Sequence, residues 1–365
     1  MSDLPLHHAF LQLLGAYGTL LCGGLEYQWM KWAFVLIQLP TILFECILYF
    51  KNMREKKQVE QSLDLIAPQF VLPKLTSFHW LRCIIMPMWK PKQIKMHKNI
   101  SYATEREMQE VYEQGGDKEL KRMLLDVIVS NVASGGLRPV LVHLPGGSWT
   151  TGTKDMFYPY QKVLIEEENW VIVNANYRLA PANVYPTHLL DCKRALRWVK
   201  QNIERYGGDP QRIVIAGDSA GGHLAGMIAF TPNQPEYQPG FEDVDTSVQG
   251  FISFNGALDI ELDPFRCQFF SSQISQQPII DYDFIRKHSP VNLINNDIPS
   301  LVFAGLKDGI VDCSIGKYFK EEFDKKGDNC QLVLLPYANH CFYYFWSPRS
   351  IYTAKLIQAW CRKLV

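Results

Sequence analysis

One serine of this chain stands in a sequence that can turn a hydroxyl into a nucleophile. Residues 217–222 read GDSAGG and follow the apolar run 213–216, so Ser219 falls at a strand-to-helix turn. A serine hydroxyl attacks a carbonyl carbon only when a sharp, strained turn holds it outward, which requires very small residues two positions before and after it. Gly217 and Gly221 occupy those positions. The same spacing also occurs in ordinary tight turns, so the interpretation depends on further features.

A glycine-rich segment upstream can supply donors for the negative charge that develops in acyl transfer. Residues 139–144 (PVLVHL) form an apolar strand candidate that runs into residues 145–149 (PGGSW). Backbone N–H groups must approach the developing oxyanion closely, and a loop poor in side chains allows this, although the stretch also fits a hairpin turn. Ala220 adds a donor, because the N–H after the nucleophile opens a helix whose dipole favours negative charge.

An acid and a base follow in the order that this chemistry needs. Residues 300–305 (SLVFAG) form a strand candidate, and Asp308 lies in the loop after it. Asp308 is therefore the preferred orienting carboxylate, and Asp312 is the alternative, which would otherwise serve as a helix cap. In the chain order Ser, Asp, His the base follows the acid, and His340 is the one histidine that does. It comes after another strand candidate, residues 331–335 (QLVLL).

From about residue 138 to its C-terminus the chain resembles hormone-sensitive-lipase-like carboxylesterases, and especially a bacterial branch of membrane-associated esterases. The resemblance is carried by the GDSAGG turn and by four other motifs: residues 176–181 (NYRLAP), 206–210 (YGGDP), 231–233 (TPN) and 238–243 (QPGFED). It implies an α/β-hydrolase fold in which Ser219 is the nucleophile, His340 the base and Asp308 the orienter of that base. It therefore implies a serine carboxylesterase.

The predicted oxyanion loop, residues 145–149, departs from the family pattern, in which this loop commonly begins His-Gly-Gly. Here Pro145 stands at the place of the histidine, and His143 lies two residues earlier. The backbone after Pro145 can still present N–H groups, so we expect the hole to form. Its predicted donors are Gly146, Gly147, Ser148 and Ala220, of which the family pattern favours Gly147 and Ser148.

The elements around these residues alternate between strand and helix. Residues 171–173 (VIV) and 251–254 (FISF) are strand candidates, and residues 189–206 have the apolar spacing of a helix. This alternation predicts a mostly parallel sheet covered by helices on both faces. The serine turn, the acid loop and the histidine loop would then meet at the carboxyl ends of the strands.

Composition supports one large catalytic unit. Hydrophobic residues make up 47% of the 365 residues, which is ample for a sizeable core. The formal net charge is zero, so we expect no nucleic acid partner, because nonspecific polyanion binding needs clustered positive charge. The nine cysteines are scattered without a C-x-x-C pair and are interpreted as thiols. No cofactor and no metal is predicted.

The N-terminal third is organised differently. Residues 32–50 form a nearly continuous apolar stretch about long enough to cross a bilayer, and residues 10–25 form a weaker one. The two fit a membrane hairpin, a single anchor, or a hydrophobic cap over the active site. The predicted division is a membrane-anchor or hairpin segment at 1–60, a basic and aromatic connector or cap at 61–100, and the catalytic domain at 101–365.

Basic residues follow the second apolar segment directly: Lys51, Arg54, Lys56 and Lys57. By the positive-inside rule, this flank and the catalytic domain should face the cytosol, with the endoplasmic reticulum as a candidate membrane. The expected substrate is a small-molecule ester or lipid with an apolar acyl chain. Two alternatives stay open: another serine hydrolase on the same fold, such as an amidase, formamidase or prenylcysteine methylesterase, or a non-catalytic ligand-binding receptor. The sequence leaves the oligomeric state open.

Overall fold

A computed structural model describes residues 28–77, 93–132, 134–295, 298–327 and 329–365, together with residues 12, 79 and 83. The strands are β1 (Ile94–Ser101), β2 (Leu124–Ser130), β3 (Arg138–Leu144), β4 (Val171–Ala175), β5 (Gly208–Asp218), β6 (Gly250–Phe254), β7 (Ser300–Gly305) and β8 (Cys330–Leu335). The α-helices are α1 (Gln28–Ile66), α2 (Glu105–Leu120), α3 (Pro159–Glu168), α4 (Thr187–Asn202), α5 (Ala220–Phe230), α6 (Pro264–Phe269), α7 (Tyr282–Lys287), α8 (Cys313–Asp324) and α9 (Pro348–Leu364). Short 3-10 turns follow α4, α5 and α7, and a π-helical turn, Phe270–Ile274, follows α6.

The strands form one eight-stranded sheet in the order β1-β2-β4-β3-β5-β6-β7-β8. The pairs β1–β2 and β2–β4 are antiparallel, and every other neighbouring pair is parallel. The predicted mostly parallel sheet is therefore confirmed. Because β3, β5, β7 and β8 run in the same direction, the loops after them emerge at one edge of the sheet.

Both faces of the sheet are covered, which explains why its strands are apolar throughout. In β3, Val140 and Val142 belong to one buried cluster and Leu141 to another, as the alternation of side chains along a strand requires. The first cluster includes apolar residues of α4, α5 and α8. The second includes residues of α1, α3 and α9, so helices pack on both faces as predicted.

The helix α1 covers part of the second face. Its last turns bury Val59 and Leu63 completely against that cluster, whereas earlier apolar side chains such as Leu39 and Leu43 are exposed. None of the described helices combines the length and the apolar character that crossing a bilayer requires. The membrane span predicted at residues 32–50 is therefore not supported. The weaker segment at 10–25 lies, apart from residue 12, outside the described residues.

The predicted division of the chain cuts through two elements. The boundary at residue 60 falls within α1, and the boundary at residue 100 falls within β1. Strand β1 pairs with β2 along the edge of the sheet, so residues 94–100 lie in the same sheet as the strands that carry the site.

Candidate active site

Ser219 lies at the junction of β5 and α5 on a strained turn. Its backbone has φ 52° and ψ −118°, a conformation that non-glycine residues rarely adopt. A Cβ atom on Gly217 would lie 2.2 Å from the carbonyl oxygen of Gly221, and one on Gly221 would lie 2.1 Å from that of Leu144. Glycine is therefore required at both positions for the chain to turn this tightly, as the sequence predicted.

Asp308 and His340 are brought together by the loops after β7 and β8. His340 Nδ1 lies 2.7 Å from Asp308 Oδ2, and the Asp308 side chain is completely buried. The other oxygen, Oδ1, accepts hydrogen bonds from the N–H groups of Ile310 at 2.8 Å and Val311 at 3.0 Å. These two bonds fix the carboxylate and direct its free oxygen at the imidazole. The arrangement holds the His340 ring in one orientation.

Asp312, the alternative carboxylate, serves a different purpose. It is the N-cap of α8, where its side chain accepts a hydrogen bond from the N–H of Ser314 at 2.8 Å. Hydrogen bonding to Ser314 lowers the pKa of Asp312 below its usual value. A carboxylate engaged at a helix N-terminus in this way stabilises the helix rather than a base.

The loop that follows β6 joins the acid and histidine loops, and no sequence motif predicts this role. Asn255 Nδ2 donates to the carbonyl oxygens of Asn339 at 3.1 Å and His340 at 2.9 Å, while its Oδ1 accepts from Gly305 N at 2.9 Å. Next to it, Ser219 N donates to the carbonyl oxygen of Phe254 at 3.0 Å. The side-chain amide of Asn255 thus links the acid and histidine loops, and the preceding residue, Phe254, binds the serine turn. Among the hydrogen bonds of the described residues, none joins Ser219 Oγ to His340.

The oxyanion loop after β3 turns sharply beside the serine. Gly147, Ser148 and Trp149 all have positive φ, at 129°, 51° and 57°. A Cβ atom on Gly146 would lie 3.0 Å from Ser219 Cβ and 2.5 Å from Asp218 Oδ2, so the loop passes directly against Ser219.

The donors predicted for the oxyanion hole are available in this arrangement. Ala220 is the first residue of α5, where a helix N-terminus leaves its N–H groups free of intrahelical partners. Within the described part of the chain, the N–H groups of Gly146, Gly147 and Ser148 donate no hydrogen bond. The carbonyl oxygen of Pro145 accepts from the Tyr177 hydroxyl at 2.8 Å, which holds the loop at its first residue.

A buried polar cluster lies behind the serine. Asp218 Oδ1 is 3.0 Å from His143 Nε2, and Asp218 Oδ2 accepts from the hydroxyls of Tyr343 at 3.0 Å and Tyr344 at 3.4 Å. Burial raises the pKa of the Tyr343 hydroxyl, so it stays protonated and can donate. The cluster joins strand β3, the serine turn and the segment after His340. His143, which the sequence placed two residues before Pro145, belongs to this cluster and not to the oxyanion loop.

Two other histidines near the serine are neutral packing residues. His223, one turn after Ser219, accepts at Nδ1 from Trp149 Nε1 at 3.3 Å, so its Nε2 carries the proton donated to the carbonyl oxygen of His288 at 2.7 Å. Burial lowers the pKa of His223 to about 3 and that of His188 to about 4. Neither ring can therefore take a proton from the serine near neutral pH.

An apolar surface lies beside the acid loop. Arg266 of α6 donates from Nη2 to the carbonyl oxygen of Ile310 at 2.6 Å, which ties α6 to the residues after Asp308. Large apolar side chains on the two joined segments face solvent, with Phe265 80% and Ile310 61% exposed. Leu262 is also exposed.

The described residues contain no group of three or more His, Cys, Asp or Glu side chains that could hold a metal ion. Eight cysteines fall within the described part of the chain, and all eight are free thiols. Cys341, next to His340, is exposed.

The model of one protein family, BD-FAE, matches residues 125–323, which is more than half of the chain. The chain belongs to the BD-FAE family. The matched region contains the oxyanion loop, Ser219 and Asp308, whereas His340 lies after its end.

The BD-FAE chain is also similar to proteins named as esterases. It is 37% identical over 232 residues to the probable carboxylic ester hydrolase LipM of Mycobacterium tuberculosis, covering 61% of this chain and 54% of LipM. It is 34% identical over 220 residues to the esterase LipQ of the same organism, covering 58% and 52%. The chain thus spans about half the length of these curated relatives.

Solved structures agree with this fold. A truncated carbohydrate esterase from gut microbiota superimposes with a TM-score of 0.58 at 18% identity, covering 74% of this BD-FAE chain and 99% of that chain, which shows the fold alone. Butyrate-bound esterase 2 of Thermogutta terrifontis superimposes with a TM-score of 0.54 at 25% identity, covering 65% and 87%. The α/β-hydrolase architecture expected from the sequence is therefore confirmed.

Proposed function

We propose that this chain is a serine carboxylesterase that works through an acyl-enzyme. The observation that carries the proposal is the 2.7 Å contact between His340 Nδ1 and Asp308 Oδ2, made at the sheet edge where Ser219 occupies its strained turn. A base whose tautomer is fixed by a carboxylate, close to an outward-held serine, is the arrangement that acyl transfer uses. The esterase names of LipM and LipQ support the same chemistry.

In the proposed mechanism, His340 Nε2 removes the proton from Ser219 Oγ as that oxygen attacks the ester carbonyl carbon. Asp308 keeps the Nδ1 proton in place and stabilises the imidazolium that forms. N–H groups of the oxyanion loop and of Ala220 bind the negative oxygen of the tetrahedral intermediate. The carbon–oxygen bond to the alcohol then breaks, and the alcohol leaves with the proton from His340. Water repeats the sequence and releases the acid.

The proposed substrates carry apolar acyl chains. Phe265 and Ile310 expose apolar area on the two segments that Arg266 joins beside the acid loop, and burying such area against an acyl chain is favourable.

Phe265→Asp should lower kcat/KM for a p-nitrophenyl octanoate by about tenfold while changing the kcat/KM for the acetate little, because hydrophobic contacts discriminate by this order. Val71→Asp is the control, since Val71 is equally exposed but lies just after α1. Equal effects on both esters would show that Phe265 does not contact the acyl chain.

The same triad serves other leaving groups, so amidase, formamidase and prenylcysteine methylesterase activities are the competing proposals. An ester and an anilide that share one acyl group, tested beside a formanilide and a prenylcysteine methyl ester, separate these activities by their kcat/KM values. A non-catalytic receptor would hydrolyse none of them and would bind without reacting with a fluorophosphonate. Preference for the anilide or the prenylcysteine ester would replace the carboxylesterase proposal.

Membrane association is a second proposal, and it concerns the first half of α1. Leu36, Leu39 and Leu43 are each more than 60% exposed there, and the basic residues Lys51 and Lys57 follow. Apolar side chains beside lysines favour a lipid surface with anionic headgroups. The protein should pellet with membranes, and protease added outside sealed microsomes should digest the catalytic domain. Recovery in the soluble fraction would favour the cap interpretation, and a protected domain would reverse the predicted cytosolic topology.

A further inference from the structure

The second half of α1 is bonded to both ends of the segment that carries His340. Glu55 of α1 is 1% exposed, and its Oε1 accepts a hydrogen bond from the N–H of Tyr337 at 2.6 Å. Its Oε2 forms an ion pair with Nε of Arg349, which is completely buried in the first turn of α9. Since Tyr337 precedes His340 by three residues and Arg349 follows it by nine, one carboxylate bridges the two ends of this segment.

The position of Glu55 is itself fixed by packing. Val59 and Leu63, one and two turns later in α1, are completely buried in the core that includes α9 and β8. A buried carboxylate is destabilising unless it is paired and hydrogen-bonded, and Glu55 has both a guanidinium and a backbone N–H as partners. Lys51, one turn before Glu55, places its ammonium 5.7 Å from the centre of the Tyr337 ring. The contact between α1 and this segment is therefore specific.

The histidine segment, residues 337–349, is held by different elements at consecutive residues. The carbonyl oxygen of Ala338 accepts from Lys307 N at 3.0 Å, which ties it to the residue before Asp308. The carbonyl oxygens of Asn339 and His340 accept from Asn255. Glu55 supplies the hydrogen bond at Tyr337, two residues after the end of β8. Without Glu55, the histidine segment would lose the hydrogen bond that joins Tyr337 to α1.

We propose that Glu55 is a positioning residue for His340, so that α1 forms part of the catalytic unit although it lies outside the matched family region. Glu55 acts by holding Tyr337 N–H and Arg349, which sets the path of the loop and so the place of the imidazole relative to Ser219 and Asp308. A displacement of about 1 Å at a reacting group lowers the rate by about 10²-fold. The proposal rests on the assignment of His340 as the base.

Two substitutions at Glu55 separate positioning from stability. Glu55→Gln and Glu55→Ala both remove the charge that pairs with Arg349, but only glutamine still offers an oxygen to the N–H of Tyr337. We expect kcat per titrated active site to fall about 30-fold or more in Glu55→Ala, with KM within about twofold, and to return to within about fivefold of the native enzyme in Glu55→Gln. Midpoints of unfolding should fall in both.

The control is Glu167→Ala. Glu167 accepts from Lys355 and from Gln358 of α9 and so also pairs α9 with a neighbouring helix, but further from the histidine segment. Its kcat should equal that of the native enzyme. Equal kcat losses in Glu55→Ala and Glu55→Gln, or a kcat for Glu55→Ala within threefold of native, would overturn the proposal.

Three further variants keep the test decisive. If Glu55→Ala does not fold, Glu55→Leu combined with Arg349→Leu removes both buried charges, and its kcat should still be low because Tyr337 N–H lacks its acceptor; native kcat would refute the proposal. Adding Glu55→Ala to His340→Ala should lower the residual rate no further, because Glu55 acts through His340. A native kcat in His340→Ala would overturn the assignment of His340 as the base. If His340→Ala is inactive but Glu55→Ala is fully active, the base assignment stands and only the positioning role of Glu55 is refuted.

Discussion

Replacing Asp308 by asparagine keeps the shape of the side chain and removes its charge. In the structure Oδ1 accepts from two backbone N–H groups, those of Ile310 and Val311, while Oδ2 faces His340 Nδ1. The carboxamide oxygen of the variant must take the place of Oδ1, because the opposite orientation would set its NH₂ against both N–H groups. Its NH₂ then faces Nδ1, which has to act as an acceptor. The proton moves to Nε2, where the base needs a lone pair.

The size of the effect follows from these bonds. Turning the amide round forfeits two hydrogen bonds at about 1 kcal/mol each, so about one molecule in 30 would hold the productive tautomer. Loss of the negative charge beside the imidazolium adds to this, and we expect kcat to fall by about 10³ to 10⁴ in total. The assay is hydrolysis of a p-nitrophenyl butyrate at saturating substrate, normalised to folded protein by circular dichroism.

Asp312→Asn is the matched control. Asparagine caps a helix about as well as aspartate, so the bond to Ser314 N survives and kcat should stay within about twofold of native. A larger loss in Asp312→Asn than in Asp308→Asn would show that the wrong carboxylate has been assigned. A loss below tenfold in Asp308→Asn would refute the argument from the locked orientation.

Three other predictions concern packing, loop position and pH. Gly221→Ala places a Cβ 2.1 Å from the Leu144 carbonyl oxygen and should lower the free energy of unfolding by more than about 2 kcal/mol in urea titration, whereas Gly135→Ala, with open space around it, should not. Asn255→Gly keeps the left-handed backbone but removes the amide that links the loops, so kcat should fall at least about tenfold with little change in KM. Burial depresses the pKa of His188 to about 4, so the unfolded chain binds the extra proton as the pH falls below about 6.5. The free energy of unfolding should drop by about 1.5 kcal/mol from this group between pH 6.5 and 5, and a His188→Gln variant that folds and shows the same pH slope would contradict this.

The sequence predicts the parts of the site that local patterns encode. Glycines two positions either side of Ser219, an acid after one apolar strand and a histidine after the next specify a strand-turn-helix and two loops at one sheet edge. The structure places Asp308 beside His340 and uses Asp312 as a helix cap. The parallel strands follow from continuous apolar runs that only a sheet buried on both faces can accommodate.

Contacts between distant parts of the chain could not be predicted in this way. Asn255 carries no motif, and its role depends on β6 lying between β5 and β7, which the sheet order alone decides. The bond between Glu55 and Tyr337 joins residues 282 positions apart. The antiparallel pairing of β1 with β2 also lies outside the pattern of alternating strands and helices, so that pattern does not predict that residues 94–100 belong to the sheet.

The central claim is that Ser219 is the acyl-accepting nucleophile, and one labelling measurement tests it directly. The native protein should react with a fluorophosphonate probe in a 1:1 ratio by intact mass, and peptide mapping should place the adduct on Ser219. Ser219→Ala should keep its circular dichroism spectrum, take up no label and lose several orders of magnitude in ester hydrolysis. Labelling that persists in Ser219→Ala, or an adduct on any other residue of the native protein, would contradict the account.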